Sequence, residues 1–353
     1  MTKVSGRSWA SGRRSSAVFT RLAPVEPTSV YDTYWKFAAE RQEIFFRRLQ
    51  QPMGLWTKDP ILARHKFTNA YRASDRVSQF LIRQVIYQGS DAPREVFFRT
   101  ILFKLFNKIS TWQLLSAALG DIRLKDYRFD RYERVLSEAM TEGTRIYSAA
   151  YIMPAAARFE GPRKHATHLR LLEHMVEQRA PERVGAAKSL REVFEILRSF
   201  PMMGDFLAYQ FTIDLNYSTL VDFEESEFVV PGPGARDGIR KCFSNLGGLS
   251  EADVIRLVTD RQEVEFERLG IKFRSLWGRR LQLIDCQNIF CETDKYARVA
   301  HPEVSGITGR TKIKQIFERT LKPIEFWFPP KWGINDEIAG DTAASKRTGG
   351  PAR

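Results

Sequence analysis

The chain has 353 residues, of which 43% are hydrophobic and 27% are charged. This composition is typical of a globular protein with a sizeable core, in one large domain or two small ones. No run of about eighteen apolar residues occurs, so the sequence predicts no transmembrane helix and no membrane partner. Three cysteines argue against a disulfide scaffold and indicate a reducing compartment, so we expect a cytoplasmic protein.

Positive charge is the first indication of function. The formal net charge is +13, and basic chains often bind polyanions. Eight of the cations lie in the two chain ends, and an excess of about five remains without them. The pattern favours nucleic acid as a partner, although two basic ends on an ordinary basic surface would give the same total.

Taken in chain order, the sequence begins with a basic segment, residues 1–27, that we predict to be flexible. Helical spacing of apolar residues then predicts helices over most of residues 28–335. The predicted segments are 30–50, 74–88, 93–107, 110–119, 129–142, 145–157, 165–179, 187–198, 251–270 and 275–299. Alternation typical of a strand occurs only around 227–232, and residues 336–353 are predicted to be a disordered tail.

The sequence therefore predicts a mainly α fold, a helical bundle with a short β-hairpin insertion, in a single catalytic domain over 28–335. A division into two lobes, at 28–180 and 181–335, stays open. The aromatic segment FWFPPKWG at 326–333 is interpreted as a cap that packs on the core, with a binding loop as the alternative.

Several common catalytic motifs are absent from the sequence. It contains no Walker A motif, which argues against an ordinary P-loop kinase, and no Gly-x-Gly-x-x-Gly that opens a helix after a strand. Zinc-protease, zinc-deaminase and nucleophile-elbow patterns are absent too. His165 and His168 could share a helix face, but no third ligand lies nearby, so we predict neither a metal site nor a cofactor.

A helix, a tight turn and a second helix are predicted over residues 197–218, with Pro201 and Gly204 in the turn. Such a hairpin can direct backbone N–H groups at a DNA phosphate, here from Met203 and Gly204. The segment resembles the helix-hairpin-helix of DNA glycosylases, and Phe206 stands where their lyase branch has a lysine. A plain pair of core helices is the alternative interpretation.

Residues 221–243 combine acidic side chains, a Pro-Gly-Pro-Gly run and a predicted helix start, which suits phosphate binding. The candidates for that contact are Gly232, Gly234, Arg236, Arg240 and Lys241. In the glycosylases that the hairpin resembles, a catalytic aspartate follows the hairpin, and both Asp222 and Asp237 fit that description. The alternative is that these acids are solvated or cap the helix.

Two further segments are dense in polar side chains. The predicted helix or helix pair over 275–299 carries polar groups among apolar ones, which is typical of a pocket wall, and Asp285 is a further catalytic candidate. The pocket candidates are Gln282, Asn288, Glu292 and Asp294, and the DNA-contact candidates are Arg279, Arg280, Lys295 and Arg298. Residues 65–82 contribute side chains that can read a base or stack on it, namely Asn69, Tyr71, Arg72 and Gln79. A structural Arg–Asp network is the alternative for this second segment.

Five blocks of the chain resemble one known family. They are KFTNAYRASDRVSQ (66–79), TILFKLFN (100–107), DLNY (214–217), FVVPGPGARDGI (228–239) and LIDCQNIFCETDKYARVAHPE (283–303). Over residues 30–330 the chain is similar to the α-glutamyl/putrescinyl-thymine pyrophosphorylase family, also described as the helical domain of 5-hydroxymethyluracil DNA kinases. The resemblance implies a role in phage or bacterial systems that hypermodify DNA bases, and a relation to helix-hairpin-helix DNA glycosylases.

Our leading hypothesis from this resemblance is a glycosylase-type hydrolase in the cytoplasm of a bacterium or a phage-infected cell. It would flip a hypermodified pyrimidine, of the glucosylated hydroxymethylcytosine or hydroxymethyluracil type, out of double-stranded phage DNA. Excision would leave an abasic site without a lyase step, as a defence against phages. The alternatives are a transferase that attaches an amine or amino acid to activated 5-hydroxymethyluracil in DNA, and a non-catalytic module that binds modified DNA. A kinase activity would need a fused or partner domain with a P-loop.

Overall fold

The computed structural model describes residues 24–151, 153–154, 159, 163–320 and 325–338. Most of the two chain ends predicted to be flexible, and part of the predicted helix over 145–157, lie outside these residues. The described part of that segment, residues 145–151, is not helical, so the helix prediction is wrong there. Gly143 and Tyr151 have φ of +82° and +54°, and this left-handed backbone interrupts helical geometry at both positions.

Helices form most of the described chain. They are α1 (Ser29–Gln50), α2 (Pro60–Arg64), α3 (Arg76–Phe80), α4 (Pro93–Phe106), α5 (Ile109–Leu119), α6 (Phe129–Thr141), α7 (Lys164–Glu177), α8 (Ala180–Ala186), α9 (Leu190–Arg198), α10 (Asp205–Asn216), α11 (Pro233–Cys242), α12 (Glu251–Asp260), α13 (Gln262–Arg268) and α14 (Leu283–Ala300). Short 3₁₀ turns lie at Arg72–Ser74, Leu124–Asp126 and Pro330–Trp332, and a π-helical stretch, Leu81–Ile86, continues α3. Within the described ranges, every helix is too short or too polar to span a lipid bilayer.

Two short strands pair antiparallel, β1 (Glu26–Pro27) and β2 (Phe243–Asn245). The prediction of a mainly helical fold with a short β element is confirmed. The β element joins the start of the described chain to the residues that follow α11. Residues 227–232, where alternation suggested a strand, form no strand, so that prediction is wrong.

Capping side chains define where several helices begin. Thr28 Oγ1 accepts a hydrogen bond from Val30 N at 3.2 Å at the start of α1. Ser250 and Asp253 form a reciprocal capping box at the start of α12. These side chains satisfy N–H groups that have no partner inside the helix.

Two of the predicted helices are shorter or divided in the structure. The segment predicted over 251–270 is split into α12 and α13 at Arg261, whose backbone leaves helical geometry with ψ near +2°. The segment predicted over 275–299 begins only at Leu283. Trp277 and Gly278, at φ +48° and +85°, hold the preceding residues in a loop.

Helix α14 lies at the centre of the fold and packs against α1, α11 and α12. Its approach to α11 is closest at Gly238, where an added Cβ would lie 2.0 Å from the Phe290 carbonyl oxygen. Helices α4 and α10 pack together beside it, and a hydrogen bond from Gln210 to Gln287 joins α10 to α14. The candidate site lies where these three helices converge.

Candidate functional site

A carboxylate and two cations meet in the interior of the helical fold. Asp214 on α10 lies between Arg72, in the turn Arg72–Ser74, and Lys104 on α4. Arg72 Nη1 is 2.8 Å from Asp214 Oδ1, and Lys104 Nζ is 3.0 Å from Asp214 Oδ2. Each side chain is 3% exposed or less. These three residues, called the Asp214 centre below, therefore carry one positive charge in excess.

Amide and phenol groups complete the hydrogen bonding of Arg72. Its Nε donates to Gln210 Oε1 at 3.1 Å, and its Nη1 donates to Tyr217 Oη at 3.1 Å. Gln210 Nε2 donates in turn to Gln287 Oε1 at 3.2 Å. The guanidinium is thus held in one orientation by Gln210 on α10 and by Tyr217 directly after it, and α10 is tied to α14.

Aromatic rings cover both cations. Lys104 Nζ lies 4.6 Å from the centroid of the Tyr151 ring, and Arg72 Cζ lies 5.6 Å from that of Tyr217. Cation–π attraction of this kind is strongest where water is excluded. Tyr151 is half-buried whereas the other three side chains are buried, so Tyr151 is the member of this group most open to solvent.

The charges of the Asp214 centre stabilise one another unequally. Burial alone would raise the pKa of Asp214, but Arg72 and Lys104 outweigh burial and lower it. Burial also disfavours the Arg72 cation, and Asp214 reverses that effect, so the pKa of Arg72 is raised. For Lys104, burial lowers the pKa and Asp214 offsets this only in part. Lys104 is therefore the member of the centre that most readily gives up its proton.

A second buried carboxylate adjoins the centre through the Arg72 backbone. Asp285 Oδ1 accepts from Arg72 N at 2.8 Å, and Asp285 Oδ2 accepts from Gln282 N at 3.0 Å in a capping box at the start of α14. Burial, with a contribution from the Glu225 charge, raises the pKa of Asp285 to about 7. This carboxyl group can therefore accept or release a proton near neutral pH.

A stacked arginine and the aromatic segment at 326–333 border this region. Arg279 Nη2 is 2.9 Å from Glu225 Oε1, and Arg279 Cζ lies 3.9 Å from the centroid of the Trp332 ring. Tyr71 Oη donates to the Arg279 carbonyl oxygen at 2.6 Å. Trp332 also packs edge-on against Tyr217, with 5.7 Å between ring centroids. The aromatic segment thus covers Tyr217, which is itself bonded to Arg72.

This arrangement offers two chemical functions. The excess positive charge at Arg72 and Lys104 lies in a low-dielectric interior, where it favours an anionic group such as a phosphate. Asp285, with its near-neutral pKa, can take up a proton from an attacking group. Cations and a proton acceptor are the parts that a phosphoryl-transfer reaction uses.

The structure brings several of the sequence-predicted residues to this region. They are Tyr71, Arg72, Gln79, Arg279, Gln282 and Asp285. Gln79 joins it to the aromatic segment, because its Oε1 accepts from Trp327 N at 2.8 Å. Asn288 lies beside it, where its Oδ1 accepts from Gln287 Nε2 at 3.3 Å.

Asn69 and Glu292 belong to a network between α1 and α14. Arg41 Nη2 donates to Asn69 Oδ1 at 2.9 Å, and Glu292 Oε2 accepts from Thr68 N at 3.1 Å. Lys295 Nζ pairs with the same Glu292 oxygen at 2.7 Å. Asp75 connects this network to the Asp214 centre, because its Oδ1 accepts from Asn69 N at 2.8 Å and its backbone N donates to the Arg72 carbonyl oxygen at 3.1 Å.

Asp237, Lys241 and Asp294 lie in the contact between α11 and α14. Lys241 Nζ is 3.0 Å from Asp294 Oδ1, and both side chains are 2% exposed. Arg298 also pairs with Asp294. Asp237 Oδ1 accepts from Thr308 N at 2.9 Å, so this aspartate holds the loop that follows α14. Its hydrogen-bond partners are groups other than those of the Asp214 centre.

Four of the sequence-predicted residues lie at the surface, namely Asp222, Arg236, Arg240 and Arg280. The Asp222 side chain is 79% exposed and pairs with Lys331 at 3.1 Å. Arg240 pairs with Glu251 at 3.1 Å, and such exposed pairs contribute little to stability.

The glycines of the Pro-Gly-Pro-Gly run make room for packing in the structure. An added Cβ at Gly234 would lie 2.3 Å from Cys291 Sγ, and one at Gly232 would lie 2.6 Å from Phe206 Cε2. Their small size is therefore explained by close contacts inside the protein.

The predicted hairpin over 197–218 is present as α9, a turn and α10. Gly204 is the residue that caps the start of α10, and Met203 beside it is buried. Asp214 lies near the other end of the same helix, roughly 15 Å along its axis. The hairpin turn and the Asp214 centre are therefore separate features of α10.

Sequence reasoning does not place Lys104, Gln210, Asp214, Tyr217 or Glu225 in a site. The available signal is a single charge inside an apolar stretch, as in TILFKLF around Lys104 and FTIDL around Asp214. A charge that a helix buries needs a partner. The sequence does not reveal that these two helices bring the partners together.

Comparison with known proteins gives two matches. The family described as 5-hmdU DNA kinase, helical domain, matches residues 28–306 of the chain. The chain is also 26% identical, over 296 residues, to a protein named 5-hmdU DNA kinase from Bacillus phage SP10. That alignment covers 78% of this chain and 46% of the relative, so the chain spans about half the length of the curated relative it matches. No solved structure matches the chain.

These matches overturn the leading hypothesis from the sequence. The relative is named as a kinase, which is a transferase, so excision of a base by a glycosylase-type hydrolase is a wrong prediction. The hairpin over 197–218 suggests that reaction, but two helices joined by a turn do not specify a chemistry. The relation to DNA glycosylases finds no support in the matches. The family match extends from the end of β1 to beyond α14, and the chain belongs to the family of the 5-hmdU DNA kinase helical domain.

Proposed function

We propose that this chain is part of a DNA-modifying transferase and binds a 5-hydroxymethyluracil nucleotide of DNA at the Asp214 centre, which the nucleotide would reach by displacing the half-buried Tyr151 ring. A phosphoryl group would be transferred to the hydroxymethyl oxygen of the base. The observation that carries the proposal is the family match over residues 28–306, together with the name of the phage relative. Double-stranded DNA with modified bases is the substrate class, and the net charge of +13 supports a polyanionic partner.

The residues of the site would have two roles in this reaction, namely to stabilise negative charge and to accept a proton. Lys104 and Arg72 would stabilise the negative charge on the oxygens of the transferring phosphoryl group. Asp285, with a pKa of about 7, would accept the proton that the hydroxymethyl oxygen loses as the new P–O bond forms. The bond from phosphorus to the donor breaks in the same step, with a nucleoside triphosphate as the donor. Asp214 would act as a positioning residue for both cations.

Attachment of an amine to an already activated base is the second transferase reaction that the sequence leaves open. That reaction calls for an acidic pocket, for which Asp285, Glu292 and Asp294 are the candidates. Glu292 pairs with Lys295 at 2.7 Å and Asp294 pairs with Lys241 at 3.0 Å. Since these two acids are already neutralised by lysines, they give no support for a shared amine pocket, and phosphoryl transfer is the reaction we propose.

The proposal is tested with a duplex oligonucleotide that carries one 5-hydroxymethyluracil in place of thymine. We expect the full chain to bind it at least roughly 10-fold more tightly than the thymine duplex, because a buried site that pairs one more hydroxyl gains on the order of 1–2 kcal/mol. Because the chain has no Walker A motif, ATP would be bound by a fused or partner domain. After incubation with ATP, Mg²⁺ and that P-loop domain, digestion to nucleotides without phosphatase and mass spectrometry should show the modified base with one added phosphate.

Lys104→Met tests whether the Asp214 centre is responsible, and Lys125→Met, at an exposed position, is the matched control. We expect the first variant to lose the binding preference and the product, and the second to keep both. Equal affinity of the unaltered chain for the two duplexes, with unchanged nucleotides, would contradict the proposed function. Release of a free base would contradict it as well.

A further inference from the structure

The loop between α1 and α2 presents two large apolar side chains to solvent. Met53 is 72% exposed and Leu55 is 69% exposed. They lie two residues apart, and the residue between them is Gly54. Neighbouring apolar side chains that protrude in this way indicate a surface that another molecule covers.

Hydrogen bonds hold this loop in its shape. Arg319 Nη2 donates to the carbonyl oxygens of Pro52 and Gly54, each at 2.8 Å. Trp56 is 7% exposed and anchors the loop in the core, and its Nε1 donates to the Gln51 carbonyl oxygen at 3.1 Å. The backbone between these anchors therefore holds the side chains of residues 53 and 55 outward.

Arg48 and Arg319 lie beside the loop, and the charge of Arg76 acts on Arg48; these three residues are called the arginine cluster below. Arg319 Cζ lies 4.2 Å and Arg48 Cζ lies 5.2 Å from the centroid of the Trp56 ring. Burial, together with the charges of Arg319 and Arg76, lowers the pKa of Arg48. Among the described residues, no carboxylate lies within ion-pair distance of the cluster. The mutual repulsion of these cations would be relieved by a polyanion.

We propose that the loop of residues 52–55 is a wedge for duplex DNA. Met53 and Leu55 insert between base pairs beside the target nucleotide, and the arginine cluster contacts the flanking phosphates. The choice of target nucleotide rests on the proposed function, whereas the wedge itself rests on the exposed loop and its charges.

Two physical arguments support duplex DNA as the occupant. Methionine and leucine are among the side chains that proteins insert between base steps, and enzymes that act on a base take it out of the stack. The cluster is also connected to the candidate site, since Arg76 opens α3 directly after the turn that carries Arg72. A base unstacked beside the wedge would therefore lie near the segment that leads to the Asp214 centre.

The test uses the full chain and a duplex in which 2-aminopurine lies beside 5-hydroxymethyluracil or thymine, because the fluorescence of 2-aminopurine rises when it is unstacked. We expect the unaltered chain to raise this fluorescence several-fold. The double variant Met53→Ser, Leu55→Ser should lose at least roughly two thirds of the increase at saturating protein, since the unstacking side chains are gone. Val264→Ser, at a position that is 56% exposed on α13, is the matched control and should keep the increase.

The charge of the cluster is tested separately through the salt dependence of binding. Arg76→Gln should lower the slope of log Kd against log salt concentration by about 1, as expected for one lost phosphate contact. Arg131→Gln, at an exposed position on α6, should leave the slope unchanged.

The wedge is overturned if the double variant unstacks DNA as well as the unaltered chain does, or if Arg76→Gln leaves the slope unchanged. It is also overturned if the double variant changes only self-association or binding to lipid vesicles, since the loop would then contact a protein or a membrane. The wedge and the proposed function can each be contradicted without the other. Unstacking of both duplexes, without a preference for the modified base and without a phosphorylated product, supports the wedge and contradicts the proposed function.

Discussion

Lys104 Nζ lies 3.0 Å from one carboxylate oxygen of Asp214, and Arg72 Nη1 lies 2.8 Å from the other. One buried carboxylate is thus shared by two buried cations. A single cation would be enough to neutralise Asp214. The second is matched by Asp285 only while that neighbouring carboxyl group is ionised, and otherwise it is unfavourable for folding unless another anion joins the site. This surplus of charge is the physical reason for expecting a phosphate at the Asp214 centre.

Asp214→Asn should destabilise the protein strongly. The substitution leaves two buried cations without their carboxylate, and we expect the free energy of unfolding to fall by about 3–5 kcal/mol. Urea unfolding followed by circular dichroism measures the loss. Asp222→Asn, at an exposed side chain, is the control and should change the free energy by less than about 0.5 kcal/mol. A loss below about 1 kcal/mol for Asp214→Asn would mean that water reaches the centre and screens its charges.

Lys104→Met should lower the activity much more than it lowers the stability of the protein. The substitution leaves the Arg72–Asp214 pair in place and removes the contacts of Lys104 with Asp214 Oδ2 and Asn107 Oδ1, so we expect the free energy of unfolding to fall by about 1–3 kcal/mol. Phosphoryl transfer to DNA should nevertheless fall at least roughly 100-fold, because a group that stabilises the transferring charge is gone. Urea unfolding and the transfer assay on the same preparation test this together. A large loss of stability, with full activity per folded molecule, would assign Lys104 a structural role.

Asp285 should make stability depend on pH. Burial raises its pKa from 3.8 to about 7 in the folded protein, so between these values the folded state holds a proton that the unfolded state has released. The contribution of Asp285 to stability must therefore fall as pH rises from about 4 to about 7, and level off above. In Asp285→Asn this contribution is absent, so the variant should gain stability relative to the unaltered chain as pH rises through that window. Urea unfolding at pH 4.5, 5.5, 6.5 and 7.5 gives the difference, and a difference that is independent of pH would contradict the raised pKa.

The sequence predicts the helices far better than it predicts the site. The spacing of apolar residues predicts a helix over 93–107, and the structure has α4 at Pro93–Phe106. Arg72 and Asp285 are found because they stand in stretches that are rich in polar residues. Lys104 and Asp214 are missed because each is a lone charge in an apolar helix, and only tertiary packing brings them together.

The same limit applies to the glycines at 232–238, for which sequence patterns admit two interpretations. A glycine before or within a helix can allow a phosphate to approach the backbone, or it can allow another helix to approach. Sequence analysis favours the phosphate at Gly232 and Gly234. In the structure, Cys291 and Phe206 fill the space beside them. The partner helix, α14, begins some forty residues later in the chain, so local sequence gives no sign of it.

Gly238→Ala provides a test of that close helix contact. The added Cβ would lie 2.0 Å from the carbonyl oxygen of Phe290, which is backbone and cannot rotate away. Helices α11 and α14 would have to move apart, and we expect a loss of about 1–3 kcal/mol or more in the free energy of unfolding. Gly185→Ala, at an exposed position inside α8 with only Leu220 nearby at 3.4 Å, is the control. It should instead raise the free energy of unfolding by up to about 1 kcal/mol, because alanine favours the helix. Changes of opposite sign in the free energy of unfolding would establish that Gly238 is required by the contact of α11 with α14. An increase for Gly238→Ala would instead mean that the two helices lie further apart than in the structure.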